Sequence, residues 1–158
     1  MIKLFSTLFC ILILSSCVVK KAKDISYLKD TNAEFNNATA LNIYHPAKSK
    51  NNPVVIFIHG GTWQSGDKDT YGIIGHNFAK HGIVAVIANY TLSPNGDYDT
   101  MAKEVTAATQ WAHENIADYN GDPSQLFLMG HSAGGHLIAL AGISPKYLGD
   151  TDLVKGLI

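Results

Sequence analysis

The 158-residue chain contains no arginine: all 12 of its basic residues are lysines, set against 13 acids for a formal net charge of −1. Planar, bidentate recognition of phosphate, carboxylate or guanine is therefore out of reach. With so little net charge, a nucleic-acid partner is not expected. Only two cysteines occur, Cys10 and Cys17, too few for a disulfide framework. The one long apolar run, residues 4–14, is too short to cross a bilayer as a permanent helix. Internal repeats are absent. What is present is a chain 46% hydrophobic and 16% charged, which suits a folded domain and excludes a disordered one. The length fits a single domain.

Residues 1–16 read as an export signal, with Lys3 at the positive start and an apolar stretch over 4–14. The closing Leu14-Ser15-Ser16-Cys17 resembles the bacterial lipobox, whose cysteine is lipidated and becomes the mature N-terminus. A plain signal peptide with a chance cysteine is the alternative. On the lipobox reading Cys17 carries a two- or three-chain anchor, stable where one chain is not. The lack of aspartate after it points, by resemblance to known sorting patterns, to the outer membrane of a bacterial envelope. Residues 17–37, from the lipidated cysteine onward, are polar and lysine-rich without a sustained apolar period. They are expected to form a tether, with the folded domain at 38–158.

The domain alternates strand and helix signals. Strands are expected at 40–44, 54–58 (VVIFI), 83–88 (IVAVIA), 125–129 and from 154 onward; the continuous apolar runs suit strands covered on both faces. Helices are expected over 71–81, from Met101 to about Tyr119, and over 133–143. The second has an apolar stripe of Met101, Val105, Ala108, Trp111 and Ala112, and the third is apolar all round and so expected to be buried. Asn120-Gly121-Asp122-Pro123 is a turn signal. The alternation predicts an α/β fold with a mostly parallel sheet and flanking helices.

Two glycine motifs sit just past strands. Gly130-His131-Ser132-Ala133-Gly134 is G-x-S-x-G between a strand and a helix, the context of a nucleophile elbow. Gly130 and Gly134 leave room for a turn too tight for side chains, and the helix N-terminus favours a nearby anion. A glycine-lined turn with a capping serine is the plainer alternative. His59-Gly60-Gly61-Thr62-Trp63 follows the most apolar strand. Its glycines can expose backbone N–H groups to an oxyanion, the need of acyl transfer; a simple strand-ending turn is the alternative.

With these residues the chain resembles the α/β-hydrolase superfamily. The likeness is to esterases of the hormone-sensitive-lipase-like and carboxylesterase branches, including kynurenine-formamidase-like and feruloyl/acetyl-xylan-esterase-like members. It also includes Gly66-Asp67-Lys68, Asn89-Tyr90-x-Leu92-Ser93-Pro94, Gly121-Asp122-Pro123 and Gly135-His136. The resemblance implies Ser132 as nucleophile and backbone N–H groups of Gly61, Thr62 and Ala133 as the oxyanion hole. His59 and Trp63 would shape the loop, and no cofactor is implied. Thr91 departs from the pattern, since relatives usually carry arginine there; a structural clamp is expected to be missing.

A serine needs a histidine base and an acid to orient it, and in this superfamily both follow the serine. Ile158 lies only 26 residues past Ser132, and the last histidine is His136. His136 is expected to point into the fold. His45, His59, His76, His81, His113 and His131 are expected to be structural or on the surface. Neither His76/His81 nor His131/His136 has the four-residue spacing of a helical zinc pair, so no metal is expected. The sequence thus predicts the N-terminal part of a lipid-anchored ester hydrolase acting through an acyl-enzyme, inactive as this fragment because the fold stops after the elbow. Its substrate would be a small ester or an acylated polysaccharide. A non-catalytic lipid-anchored binding module and an amide-cleaving hydrolase of the same fold are the alternatives.

Overall fold

The computed structural model describes residues 18–28, 36–149 and 152–158. One six-stranded mixed sheet organises them, in the order β1-β2-β4-β3-β5-β6. The strands are β1 (Val19–Ser26), β2 (Ala40–Pro46), β3 (Asn52–Ile58), β4 (Val84–Ala88), β5 (Gly121–Gly130) and β6 (Val154–Leu157). β3, β4, β5 and β6 run parallel, while β1 and β2 are antiparallel to their neighbours. This is the mostly parallel α/β sheet expected from the alternating pattern.

Helix α1 (Gly72–Lys80) covers one face of the sheet, and α2 (Tyr98–Asn115) and α3 (Ala133–Ile143) cover the other. The alternation along β3 explains its unbroken apolar run. Val54, Ile56 and Ile58 face α2 and α3, and Phe57 faces α1 with Tyr44, Ala79, Ala85 and Ile87. Each valine, isoleucine or phenylalanine among them withdrawn from water is worth roughly 1.5–3 kcal/mol. Along α2, Met101, Val105, Ala108 and Ala112 are buried as the stripe predicts, and Asp97 caps the helix by accepting the Thr100 N–H at 2.8 Å. A 3-10 turn, Ile116–Tyr119, prolongs it.

Three expectations are corrected. Val19–Ser26 is a paired edge strand, so this part of the 17–37 segment is not a tether, and the folded domain already includes it. The signal was hidden by a bulge. Asp24 has φ 56° and the register slips between Ala22 and Ile25, so these two residues pack on one face although three apart, while Val19 packs on the other face. Strand β5 begins at Gly121, inside the expected turn, because Asn120 alone absorbs the reversal with φ 66°. The third correction concerns α3, which is not buried all round: Ile143 is 70% exposed and His136 also faces outward. Cys17 and residues 1–16 lie outside the described residues.

Candidate active site

Strands β3 and β5 are parallel neighbours, with Ile58 level with Gly130. The two glycine motifs therefore emerge side by side at the carboxyl edge of the sheet, the usual place for a site in such folds. The His131 N–H donates to the Ile58 carbonyl at 3.1 Å, fastening the second turn to the end of the first strand. A Cβ on Gly60 would lie 2.8 Å from the His131 carbonyl and 3.0 Å from the Ser132 Cβ. Only a glycine lets the loop come this close to the serine.

Ser132 sits at φ 54°, ψ −117°, a left-handed region that a serine does not enter without strain. It is exposed and occupies the N-cap position of α3, yet its side chain makes no capping hydrogen bond. The capping alternative is thereby disfavoured: the hydroxyl is held out and left unused. Among the described residues no side chain hydrogen-bonds it. Beside it, Gly61, Thr62 and Trp63 take successive φ values of 126°, 55° and 58°. That run turns the chain sharply enough for Gln64 N–H, Ser65 N–H and the Ser65 hydroxyl all to donate to the Gly61 carbonyl. Among the described residues, the N–H groups of Gly61, Thr62 and Ala133 are paired with no protein acceptor.

His59 is fully buried, stacked on Tyr90 at 4.6 Å and on Tyr71 at 6.1 Å. Its Nδ1–H donates to the Gly60 carbonyl at 2.8 Å, so Nε2 carries a lone pair with no partner. Burial holds its pKa below the ordinary histidine value, only partly offset by that bond. It packs beneath the loop, and no hydrogen bond joins it to the serine. His131 is exposed.

His136 is placed contrary to expectation. It faces outward and meets the Trp63 ring edge-on at 5.5 Å. The two line a cavity of about 530 Å³ with Ser93, Asp97, Tyr98, Met101 and Leu140. Its helical position, one turn after Ser132, is visible in the sequence; its contact with Trp63, 73 residues earlier in the chain, is not. A second groove along α1, about 680 Å³, is lined by Ile73, Phe78, Ile83 and Met129 and includes no residue of the two motifs.

The residue expected to leave a gap, Thr91, is clamped after all. Its N–H and hydroxyl donate to the two carboxylate oxygens of Glu104 at 2.6 and 2.7 Å. Burial raises the Glu104 pKa, and the Thr91 bonds oppose the rise. Among the described residues no group of three or more histidine, cysteine or acidic side chains could hold a metal ion.

The BD-FAE family model matches residues 41–153. The chain is 35% identical over 102 residues to a probable isoprenylcysteine alpha-carbonyl methylesterase of Oryza sativa, covering 64% of this chain and 25% of that one. It is 34% identical over 126 residues to kynurenine formamidase of Danio rerio (74% and 41%) and 33% identical over 118 residues to a carboxylesterase of Mycobacterium tuberculosis (73% and 37%). The structure superposes on esterase B of Lactobacillus rhamnosis with a TM-score of 0.72 at 28% identity, covering 88% of this chain and 45% of the other. The chain thus spans less than half the length of these relatives.

Proposed function

The chain belongs to the BD-FAE family; its relatives include carboxylesterases and a kynurenine formamidase, and its structural neighbours are esterases of the α/β-hydrolase fold, and from this premise we propose that it carries the nucleophile and oxyanion hole of a serine carboxylic-ester hydrolase. One observation carries the reading: a strained, exposed serine with an unused hydroxyl stands beside three unpaired backbone N–H groups.

In the proposed reaction Ser132 Oγ attacks the ester carbonyl and loses its proton to a base. The carbonyl oxygen becomes an oxyanion held by the N–H groups of Gly61, Thr62 and Ala133; donors of this kind are each worth roughly 10²–10³ in rate. Collapse breaks the acyl–oxygen bond, the alcohol takes the proton and leaves, and water then releases the acid from the acyl-serine. No described side chain hydrogen-bonds the Ser132 hydroxyl, which supports the reading that residues 1–158 by themselves do not turn over. The base and its acid would lie outside the described residues. A second reading, cleavage of an amide or formamide by the same serine, is favoured by the 34% identity to kynurenine formamidase.

A lipid on Cys17 remains part of the proposal and now has a geometric consequence. Only Val18 would separate the anchor from β1. Val19 pairs with Pro46, at the end of the sheet opposite the Ile58–Gly130 edge. The site would then face away from the bilayer, towards acyl groups offered from the aqueous side, as on a small ester or an acylated polysaccharide.

A chromogenic ester and amide panel on the whole protein, with Ser132→Ala as control, tests the reading. Turnover is expected to fall to background in the control. Activity that survives the substitution would overturn the assignment of Ser132, and Ser132-dependent turnover by residues 1–158 alone would overturn the missing base.

A further inference from the structure

The oxyanion loop ends in Gly66-Asp67-Lys68, and Lys68 is fully buried although it bears a charged ammonium. Lysine is almost never buried without partners, because an unpaired charge out of water is costly. The partners here come from three separate places in the chain. The Nζ lies 2.9 Å from an Asp24 carboxylate oxygen on the β1 bulge and 3.7 Å from Asp69, and it donates to the Asn37 side-chain oxygen. The Lys68 N–H donates to the Asn89 side-chain oxygen at 2.6 Å, just past β4. Asn89 in turn donates to the Asn37 carbonyl at 3.0 Å and to Asp67 at 3.2 Å.

This network stops at Asp67, next to Gly66. Gly66 rests against His59 and the Gly60 carbonyl so closely that a Cβ on it would lie 2.4 Å from His59 Nδ1 and 2.6 Å from that carbonyl. A shift at residues 66–68 is therefore passed directly to the start of the loop. Tyr90 holds the same place from the other side, its hydroxyl donating to the His59 carbonyl at 3.2 Å. Asp24 reaches the lysine only because the bulge turns it there: its φ is 56° and its N–H donates to the Asn42 side chain at 3.0 Å.

Resting on the serine-hydrolase reading above, we propose that the pair of buried Lys68 and half-exposed Asp24 is a positioning device for the oxyanion hole, through which β1 holds the Gly61 and Thr62 N–H groups in place. Neither residue touches the reacting atoms. Their contribution is to keep the donors preorganised, so it belongs to the transition state more than to substrate binding.

Lys68→Met and Asp24→Asn test it by hydrogen–deuterium exchange on the full chain, comparing residues 59–67 with the α2 segment 102–112. Lys68→Met is expected to speed exchange over 59–67 by about tenfold with α2 unchanged, and Asp24→Asn by roughly threefold. Equal acceleration of both segments, or no change at 59–67, would overturn the proposal, since a merely structural pair loosens the whole domain. If Lys68→Met fails to fold, Asp24→Asn decides alone, because the Asp24 side chain is half exposed. On the whole protein, the same variants are expected to lower kcat up to about tenfold with KM within about twofold; a change confined to KM would also count against the device. Absence of any Ser132-dependent turnover would overturn the serine reading instead, and the exchange result would still judge the positioning.

Discussion

Two turns stand side by side at the carboxyl edge of the sheet, and they are held by different means. The Ser132 turn is held by its own backbone. His131 bonds to Ile58, Gly134 N–H bonds to His131, and α3 packs directly on the strand end. The 59–68 loop, by contrast, depends mainly on side chains scattered over the chain, Asp24, Asn37, Asn89 and Tyr90, with one backbone bond from the Ser93 N–H to the Trp63 carbonyl at 2.8 Å. A turn secured by packing fails when an atom is added. A loop secured by polar partners fails when a partner is removed.

The sharpest way to break the first turn is Gly134→Ala. Alanine in a helix is ordinarily better than glycine by about 1 kcal/mol. Here its Cβ would lie 2.1 Å from the Ile58 carbonyl oxygen and 2.7 Å from that of His59, both backbone atoms that cannot swing away. The clash wins, and the expected loss is about 3 kcal/mol or more by urea unfolding. Gly135→Ala is the matched control. Its nearest neighbour would be 3.5 Å away, so it is expected to be neutral or to stabilise by up to about 1 kcal/mol. Equal losses in the two variants would mean that packing on β3 does not secure this turn.

The same difference explains what could be read in advance. The Ser132 turn is local, so G-x-S-x-G between an apolar strand and a helix was enough to expect it. The strands β3 and β4 were legible because burial on both faces demands an unbroken apolar run. Strand β1 was not, since the bulge at Asp24 shifts the side-chain phase and its lysines read as a solvated linker. Lys68, inside a recognisable Gly66-Asp67-Lys68, gave no sign of being buried. Its partners lie 44, 31 and 1 residues away in the chain, and only the folded sheet brings Asp24 to it. The outward placement of His136 has a related cause: an apolar helix suggests burial, but its outer face borders the Trp63 cavity.

A weaker blow to the second turn is Thr91→Val. It deletes the hydroxyl bond to Glu104 while keeping shape, and leaves one oxygen of a buried carboxylate without its donor. The expected cost is about 1–3 kcal/mol, with the Glu104 pKa displaced further upward, since the lost bond is one of those that oppose its rise. The support of the 59–68 loop by the segment after β4 would be refuted if Thr91→Val left both the unfolding midpoint and exchange over 59–67 unchanged.

The smallest test is acid. His59 has its pKa lowered by burial, so the unfolded chain takes up a proton that the folded one resists. Stability from this group is complete above its unfolded value of about 6.5 and is lost as pH falls towards and through the depressed folded value. The charge would arrive between Tyr71 and Tyr90, against the Gly60 carbonyl, so the loop should loosen before the Ser132 turn does. Glu104 acts with the opposite sign. Its pKa is raised, so its contribution is present at low pH and declines as pH rises through the folded value. His45 is also depressed by burial and leaves an acid limb of its own. His59→Phe, which preserves the stacking but cannot take a proton, is therefore expected to reduce without abolishing the fall in thermal midpoint below about pH 6.5. An acid limb identical in His59→Phe and the parent would show that the buried imidazole does not report on the loop, and would leave the polar network around Lys68 as its main support.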